Sequence, residues 1–196
     1  MKKLFLLIVI FLGVCGVPHA ASFDKESVKQ SMRKVADWQI THYDRNIYGD
    51  GNWVNATFFL GLTEWAAIAE TNGDDSYYKW LLKLGNRNYW QVEKRMYHAD
   101  DVCIAQTYLA LYDKYKRKEM MIPTQARAEW VISHLSSGSF QLDYRKASTL
   151  EHWTWCDALF MAPPVYAKLY VLTGDKKYLR FMNKEFNVLI CTTIIE

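Results

Sequence analysis

The sequence predicts an all-α protein built from repeated helical hairpins. Apolar residues recur at helical spacing throughout the chain, and no stretch shows the alternation that is typical of a half-buried strand. An internal repeat supports this, because Trp-Val-Asn-Ala-Thr-Phe at 53–58 matches Trp-Cys-Asp-Ala-Leu-Phe at 155–160, 102 residues later. A glycine-bearing turn follows each copy, at 71–74 and 173–175. Repeated hairpins of this kind form either an open solenoid or a closed α/α toroid.

Seven helices are predicted along the chain. Their ranges are 24–42, 54–70, 75–92, 99–116, 123–136, 157–172 and a last helix that begins at Asp175. The polar stretch 45–52 is a loop, and Gly73 stops the second helix. The sixth helix is expected to bend at Pro163-Pro164, because proline lacks the N–H that a helix needs. Each unit therefore consists of a loop, an inner helix, a turn and an outer helix, about 50 residues in all.

The N-terminus has the character of an export signal. Lys2 and Lys3 are followed by a nearly continuous apolar run from Leu4 to Val14, which is typical of a signal peptide and too short for a membrane-spanning helix. We predict that residues 1–21 are removed and that the protein is periplasmic or extracellular, with no membrane contact beyond this signal. Cys15 stands where a lipoprotein cysteine would, although Val14 fits that signal poorly.

The composition excludes several function classes. A hydrophobic content of 51% and an aromatic content of 15% exclude a disordered chain. The net charge is +3 with acids and bases interspersed, which argues against a nucleic-acid partner. Cys103, Cys156 and Cys191 are odd in number and lack metal-ligand spacing, so we predict neither a disulfide framework nor a metal site. The oligomeric state is left open.

The candidate functional residues lie where inner helices begin. Asn55, Asp101 and Asp157 occupy such positions, and in a toroid the starts of the inner helices converge on one mouth. Asp157 lies between two tryptophans and an apolar run, where a carboxylate is costly unless it is hydrogen-bonded, paired or used in chemistry. The alternative is a structural aspartate that caps the helix starting at Ala158, with the tryptophans in the core.

Two motifs carry a resemblance to a known family. They are His-Ala-Asp-Asp-Val-Cys-Ile-Ala-Gln-Thr-Tyr at 98–108 and Trp-Thr-Trp-Cys-Asp-Ala-Leu-Phe-Met-Ala-Pro-Pro at 153–164. The turn at 173–175 and Tyr178 support them. Together they resemble the unsaturated glycuronyl hydrolases of glycoside hydrolase families 88 and 105, and most closely the unsaturated rhamnogalacturonyl hydrolases. The resemblance covers residues 25–186.

The resemblance implies an (α/α)6 barrel and an exported hydrolase of unsaturated uronyl oligosaccharides from pectin or rhamnogalacturonan digestion. Such enzymes hydrate a C4=C5 double bond, with one aspartate protonating C4 and helping water to add at C5. The residue matching that aspartate is Asp157. The assisting aspartate matches Asp101, with Asp100 as the neighbouring alternative. No metal or other cofactor is implied.

The resemblance also suggests which residues contact the oligosaccharide. The expected contacts are Trp53, Asn55, His98, Asp100, His152, Trp153 and Trp155. Structural alternatives remain open: His98 as a hydrogen bonder at a helix start, and His152 and the tryptophans as core residues. Lys94 and Arg95 are expected to form a solvated face.

The sequence departs from the family in its length. The barrel of the family has about twelve helices, and this chain supplies roughly seven. Residues 22–186 are predicted to be the N-terminal part of such a domain. Residues 187–196 are apolar and β-branched without a helical stripe, so we predict an atypical tail that breaks the helical pattern. The alternative function is an inactive half-barrel with at most weak carbohydrate binding.

Overall fold

The computed structural model describes residues 24–135, 145, 153 and 155–193, with side chains placed up to residue 187 of the last helix. The predicted signal peptide at 1–21 and His152 lie outside the described residues. All regular secondary structure in the described part is helical, which confirms the predicted all-α class.

The helices are named α1 to α9 in chain order. They are α1 Lys25–Thr41, α2 Trp53–Glu70, α3 Ser76–Arg87, α4 Ala99–Val102, α5 Ala105–Tyr115, α6 Ile122–Ser133, α7 Ala158–Met161, α8 Pro163–Thr173 and α9 Lys176–Thr193. Two 3-10 turns lie at Tyr43–Arg45 and Lys118–Met120. Because α4 with α5 and α7 with α8 each occupy one predicted helix, these elements correspond to the seven predicted helical segments.

The chain divides into two compact units, at Thr41 and His42. Helix α1 belongs to the first unit. Its start is capped by Asp24, whose Oδ2 accepts a hydrogen bond from the Ser27 N–H at 3.0 Å. Lys29 pairs with Glu26 one turn earlier at 2.9 Å, which is favourable on an exposed helix face.

Three helical hairpins follow one another in the second unit. Helix α2 packs against α3, and α8 packs against α9, while α5 leads to α6 through the turn at Lys118–Met120. Helix α5 contacts both α2 and α8, so these three form a row of inner helices. Helix α9 also contacts α6 on the outer side. The repeated unit of inner helix, turn and outer helix is therefore present, as the sequence predicts.

The turns of the first and last hairpins are made by glycines in the left-handed conformation. Gly73 has a φ of 80° and Gly174 a φ of 74°, which a residue with a Cβ adopts only at a cost. The Gly174 N–H donates to the Tyr170 carbonyl at 2.8 Å and closes the end of α8. These two helix ends confirm the predicted stops.

Helix α3 ends at Arg87, and the prediction that it continues to Val92 is wrong. Tyr89 and Trp90 both take positive φ values, 51° and 58°, and turn the chain back. The Trp90 N–H donates to the Gly85 carbonyl at 3.0 Å. The Trp90 ring is buried and meets the Tyr108 ring edge-on at 5.2 Å. Burying a tryptophan outweighs the helical propensity of this segment.

Two further helix boundaries differ from the sequence prediction, one within the segment 99–116 and one at the end of α9. The single helix predicted over 99–116 is interrupted at Cys103 and Ile104, between α4 and α5. The bend expected at Pro163-Pro164 is instead a break between two helices, because α7 ends at Met161 and Pro163 opens α8, where a missing N–H costs nothing. Helix α9 continues to Thr193, so the predicted loss of helical structure after Phe186 is wrong. The low helical propensity of β-branched residues is too weak to end a helix by itself.

Ion pairs join the helices of neighbouring hairpins. Glu70 of α2 pairs with Lys114 of α5 at 2.6 Å, and Asp113 of α5 pairs with Lys168 of α8 at 2.6 Å. These pairs are partly exposed and each contributes about 0–1 kcal/mol. The larger stabilisation comes from burial of the apolar helix faces. The largest fully buried side chains include Phe59, Leu62, Leu81, Tyr108, Leu109, Leu169 and Tyr178.

Candidate active site

The loop that precedes α2 is fixed by the Asp50 carboxylate. It accepts hydrogen bonds from Tyr43 Oη at 2.7 Å, from Arg87 Nε and Nη2 at 2.7 Å each, and from Asn88 Nδ2 at 2.8 Å. Burial by itself raises the pKa of Asp50, but the hydrogen bonds from Arg87, Tyr43 and Asn88 outweigh it and lower that pKa. Asp50 is therefore a charged anchor for this loop.

Asn55 fixes the same loop from the first turn of α2. Its Nδ2 donates to the Gly49 carbonyl at 2.9 Å and to the Tyr48 carbonyl at 3.3 Å. Its Oδ1 accepts a hydrogen bond from Asn46 Nδ2. The side chain is buried, and its amide is used by these loop contacts. The structure thus places Asn55 as a support of the loop.

Trp53 borders a cavity of about 340 Å³. Trp53 opens α2 directly after Asn52, whose Oδ1 caps the helix by accepting the Val54 N–H at 3.0 Å. Its side chain remains 43% exposed, so an indole face is available for stacking on a sugar ring. The cavity is lined by Gly49, Asn52, Trp53, Glu93, Lys94, Arg95 and Asp101. Two predicted site residues, Trp53 and Asp101, thus meet at one cavity.

Asp101 is buried and paired with Arg95. Its Oδ1 accepts Arg95 Nε at 2.9 Å and Nη2 at 2.6 Å, and its Oδ2 accepts the Arg95 backbone N–H at 2.7 Å. Arg95 is exposed, with 49% of its side chain accessible, as expected for a solvated face, but it also binds this buried carboxylate. Both carboxylate oxygens of Asp101 are therefore occupied by donors from Arg95. Its geometry is that of an anchor for the loop between α3 and α4.

Arg127 of α6 secures this loop from the other side. Its Nη2 donates to the Glu93 carbonyl at 2.6 Å and its Nη1 donates to the Arg95 carbonyl at 3.2 Å. The sequence analysis missed Arg127, because the contacts join residues that are 34 and 32 positions apart. No local pattern in the sequence marks such a contact.

His98 and Asp100 form the start of α4. His98 Nδ1 accepts the Asp100 N–H at 3.3 Å, so His98 is the helix-start hydrogen bonder that the sequence left as an alternative. Burial raises the pKa of Asp100; nearby His98 and Arg95 oppose this rise, and the negative charge of Asp157 adds to it. Asp100 is therefore held closer to its protonated form than a solvated aspartate.

Asp157 is exposed at the start of α7. It occupies the N-cap position, but its side chain makes no capping hydrogen bond. The capping alternative for Asp157 is therefore not supported by its geometry. Because α7 packs against α4, the charge of Asp157 acts on Asp100. Asp100 Oδ2 also lies 3.8 Å from Arg95 Nη2 and 3.6 Å from His98 Nδ1. Arg95 is therefore close to both aspartates of α4, and it makes its hydrogen bonds to Asp101.

Gln106 connects α5 to the end of α7. Its Nε2 donates to the Phe160 carbonyl at 2.8 Å and to the Met161 carbonyl at 3.1 Å. These carbonyls lie in the last turn of α7, where a helix has no internal donor for them. Gln106 therefore positions the short helix that carries Asp157. It lies inside the first motif, but its partners were not predicted.

The two tryptophans beside Asp157 differ in burial. Trp153 is 6% exposed, and its ring packs against Tyr166 at 5.7 Å and Phe181 at 5.9 Å, which favours the core alternative for this residue. Trp155 is 41% exposed and remains available to a ligand. Cys103 is buried and Cys156 is exposed, and both are free thiols.

Neither a metal-ligand cluster nor a membrane-spanning helix is present among the described residues. Among these residues, no group of three His, Cys, Asp or Glu side chains is arranged to hold a metal ion. None of the described helices is both long and apolar enough to cross a membrane.

In this protein of helical hairpins, Asp100 and Asp157 lie at the starts of two short helices, α4 and α7, that contact each other. Glycoside hydrolases use a pair of carboxyl groups as acid and base. Comparison with known families agrees with this class. Residues 26–193 match the model of Glycosyl Hydrolase Family 88, and the chain belongs to this family.

Two curated proteins that are similar to this chain carry the same name. The unsaturated 3S-rhamnoglycuronyl hydrolase of Alteromonas sp. is 30% identical over 191 residues, covering 84% of this chain and 45% of the relative. A protein of the same name from Formosa agariphila is 28% identical over 166 residues, covering 81% of this chain and 42% of the relative. The chain thus spans about half the length of these relatives.

Solved structures support the predicted architecture. A family 88 glycosyl hydrolase from Bacteroides vulgatus superposes with a TM-score of 0.61 at 20% identity, over 83% of this chain and 47% of that one. A chain named as a polysaccharide lyase gives a TM-score of 0.62 at 21% identity, over 82% and 47%. The described helices therefore form part of an α/α toroid, which confirms the predicted fold.

Proposed function

We propose that this protein hydrolyses unsaturated uronyl oligosaccharides by adding water to the C4=C5 double bond. The observation that carries the proposal is the contact between α4 and α7, the two short helices at whose starts Asp100 and Asp157 lie. The charge of Asp157 also acts on Asp100. One carboxyl donates a proton to C4, and a carboxylate takes a proton from the water that adds to C5. The resulting hemiketal opens and releases the neighbouring sugar.

In this proposal Asp157 and Asp100 share one proton, and the exposed Asp157 delivers it to C4. Two neighbouring carboxyls favour a state in which one proton is shared, since both do not ionise easily together. The raised pKa of Asp100 fits such a pair. Asp101, which the sequence suggested as the partner, has both carboxylate oxygens bonded to Arg95 and is better suited to hold the loop.

The relatives guide the choice of substrate. Both are named as unsaturated 3S-rhamnoglycuronyl hydrolases, and the sequence motifs suggest a rhamnogalacturonan product. We therefore propose an oligosaccharide in which the unsaturated uronyl residue is linked to rhamnose. Oligosaccharides with and without sulfate on the rhamnose should be compared as substrates.

The ultraviolet absorbance of the C4=C5 double bond provides the assay. The absorbance should decrease when the protein is mixed with such an oligosaccharide. Asp157→Asn should lower the rate of this decrease by about 10²–10⁴-fold. Asp75→Asn is the matched control, because Asp75 is also an N-cap aspartate without a capping hydrogen bond. Equal cleavage of a saturated oligosaccharide, or full activity of Asp157→Asn, would contradict the proposal.

The second candidate is a carbohydrate-binding half-barrel without turnover. It is favoured by the exposed Trp53 beside a cavity that the described residues form by themselves. Titration of tryptophan fluorescence with the oligosaccharide separates the two candidates. Saturable binding without loss of double-bond absorbance would support the non-catalytic alternative.

We also propose that the protein is exported through the signal at residues 1–21. The apolar run from Leu4 to Val14 after two lysines supports this. N-terminal sequencing of the protein from periplasmic and culture fractions tests it. A mature N-terminus near Ser22 is expected, a lipid-modified Cys15 would indicate a lipoprotein, and an intact Met1 in the cytoplasm would contradict export.

A further inference from the structure

The geometry of the cavity points to a subsite for an acidic sugar: we propose that Trp53 stacks on the sugar ring, Glu93 accepts its hydroxyls and Lys94 pairs with its anionic group. That group is either a sulfate ester or the uronyl carboxylate, since both offer charged oxygen acceptors to an ammonium group. The inference rests on the proposed function for the identity of the oligosaccharide. Binding can be measured separately from turnover.

The backbone of Glu93 is held in place beside this cavity. Its backbone N–H donates to the Asp101 carbonyl at 2.9 Å, and its carbonyl accepts Arg127 Nη2 at 2.6 Å. The backbone is therefore held from both sides, which reduces the entropy that ligand binding costs.

The side chain of Glu93 lies against Gly51. A Cβ at position 51 would come within 2.4 Å of Glu93 Oε1, so glycine leaves the space that the carboxylate occupies. The carboxylate is only partly exposed, and within the described part of the chain it has neither a hydrogen-bond donor nor a cationic partner. A half-buried carboxylate without donors is unfavourable. Sugar hydroxyls entering the cavity would satisfy it.

Lys94 supplies the positive charge at the same cavity. The charge of its neighbour Arg95 is compensated by Asp101 at 2.6 Å. Lys94 is exposed, and no partner for its ammonium group is found among the described residues. The cavity thus offers a stacking surface, an acceptor for hydroxyls and a cation, and a neutral sugar would use only the first two of these.

The first experiment measures the role of Lys94 by calorimetric titration in an Asp157→Asn background, where the ligand is not consumed. Three unsaturated disaccharides are compared: one with sulfate on the second sugar, one without sulfate, and one without sulfate whose uronyl carboxylate is reduced to an alcohol. Lys94→Gln should weaken binding about two- to five-fold for the ligand whose anion it contacts. Lys83→Gln, at another exposed lysine without a partner in the described part, should change nothing.

The pattern across the three ligands identifies the anion. A loss that occurs only with the sulfated ligand assigns Lys94 to the sulfate. A loss that occurs with both acidic ligands and disappears with the reduced ligand assigns it to the carboxylate. Added salt should weaken the same contact.

The second experiment addresses Glu93. Glu93→Gln keeps the shape of the side chain but removes the charged acceptor, and binding of all three ligands should weaken by about tenfold or more. Glu119→Gln, at an exposed glutamate away from the cavity lining, is the matched control. Gly51→Ala should weaken binding as well, because it displaces the Glu93 carboxylate.

The results separate this inference from the proposed function. The inference would be overturned if Lys94→Gln and Glu93→Gln bound the ligands as strongly as the chain that carries Asp157→Asn alone. It would also be overturned if that chain bound none of the three ligands. Turnover by the unmodified chain would then still support the proposed function. Conversely, binding that depends on Lys94 and Glu93 without any loss of double-bond absorbance by the unmodified chain would support the subsite and contradict the proposed hydrolysis.

Discussion

Arg95 holds both carboxylate oxygens of Asp101, with Nε at 2.9 Å and Nη2 at 2.6 Å from Oδ1 and its backbone N–H at 2.7 Å from Oδ2. The adjacent aspartate, Asp100, lies 3.8 Å from the same Arg95 Nη2, and its pKa is raised by burial and by the charge of Asp157. Asp101 and Asp100 are adjacent in α4, but Asp101 holds a loop in place whereas Asp100 belongs to the candidate acid and base pair. This division leads to a prediction about stability.

Asp101→Asn should destabilise the fold, and Asp100→Asn should not. The first change removes the charge that Arg95 binds and weakens hydrogen bonds to a buried group, at a cost of about 1–3 kcal/mol. The second removes a carboxyl whose pKa is raised by burial, so its ionisation opposes folding at neutral pH. Urea unfolding of both variants at pH 7 measures the difference. Equal losses of stability would show that Asp100 is also structural.

The contact between Gly85 and Trp90 makes a second prediction. A Cβ at position 85 would lie 2.2 Å from the Trp90 ring, and the left-handed backbone at Tyr89 and Trp90 leaves the ring little freedom to move. Gly85→Ala should therefore lower the free energy of unfolding by about 1–3 kcal/mol through overpacking. Denaturant unfolding with tryptophan fluorescence provides the measurement.

Gly61→Ala is the matched control for this substitution. Gly61 also lies inside a helix, α2, but a Cβ there meets nothing within 4 Å. Alanine should stabilise the protein by about 0.5–1 kcal/mol, because it favours the helix and restricts the unfolded chain. A stabilising Gly85→Ala would show that the Trp90 ring moves aside easily.

The fold was predictable because its signals are local. Helical periodicity and the glycines at 73 and 174 fix helices and hairpin turns without knowledge of distant contacts. The end of α3 was missed because it depends on Trp90 packing against Tyr108, a residue of another helix. A sequence pattern indicates the secondary structure that a segment favours in isolation. Tertiary contacts such as this one override that preference.

The candidate site was only partly predictable for the same reason. Position at a helix start predicted Asp101 and Asp157, and the family resemblance added Asp100 as the alternative to Asp101. The sequence did not predict that Arg95 binds both carboxylate oxygens of Asp101. Gln106 reaches α7 across 54 and 55 positions. Which of two adjacent carboxyls faces the site is decided by loop geometry, and local periodicity carries no information about it.

Asp113 should stabilise the protein in a pH-dependent way. Hydrogen bonds from Lys116 and Lys168 lower its pKa from 3.8 to about 2. Since the folded pKa lies below the unfolded one, the stabilisation is present above the unfolded pKa and is lost as the pH falls towards about 2. The carboxylate is 42% exposed, so solvent screening limits the effect to at most about 1 kcal/mol.

Asp113→Asn isolates this effect. At pH 7 it should lower the free energy of unfolding, and the difference from the unmodified chain should shrink as the pH falls below about 4. Denaturant unfolding at a series of pH values measures it. A difference that is independent of pH would show that the ion pair between α5 and α8 contributes through packing and not through charge.

Glu185 on α9 should show the opposite pH dependence. Its side chain is buried, at 7% exposure, and burial raises its pKa above the usual 4.5, which the charge of Lys184 at 3.9 Å only partly opposes. Because the folded pKa lies above the unfolded one, the contribution of Glu185 to stability is present below the unfolded pKa. It is lost as the pH rises through the folded pKa, and the ionised carboxylate then destabilises the fold.

Glu185→Gln tests this directly, because the amide has nearly the same shape and no charge. At pH 8 the variant should melt about 2–4 °C higher than the unmodified chain, a shift that corresponds to about 1 kcal/mol for a chain of this size. At pH 4 the two should melt together, since the carboxyl is then largely protonated. Loss of stability at pH 8 would instead mean that the ionised carboxylate has a partner that stabilises it. Glu119→Gln, an exposed glutamate, should leave the melting temperature unchanged at both pH values.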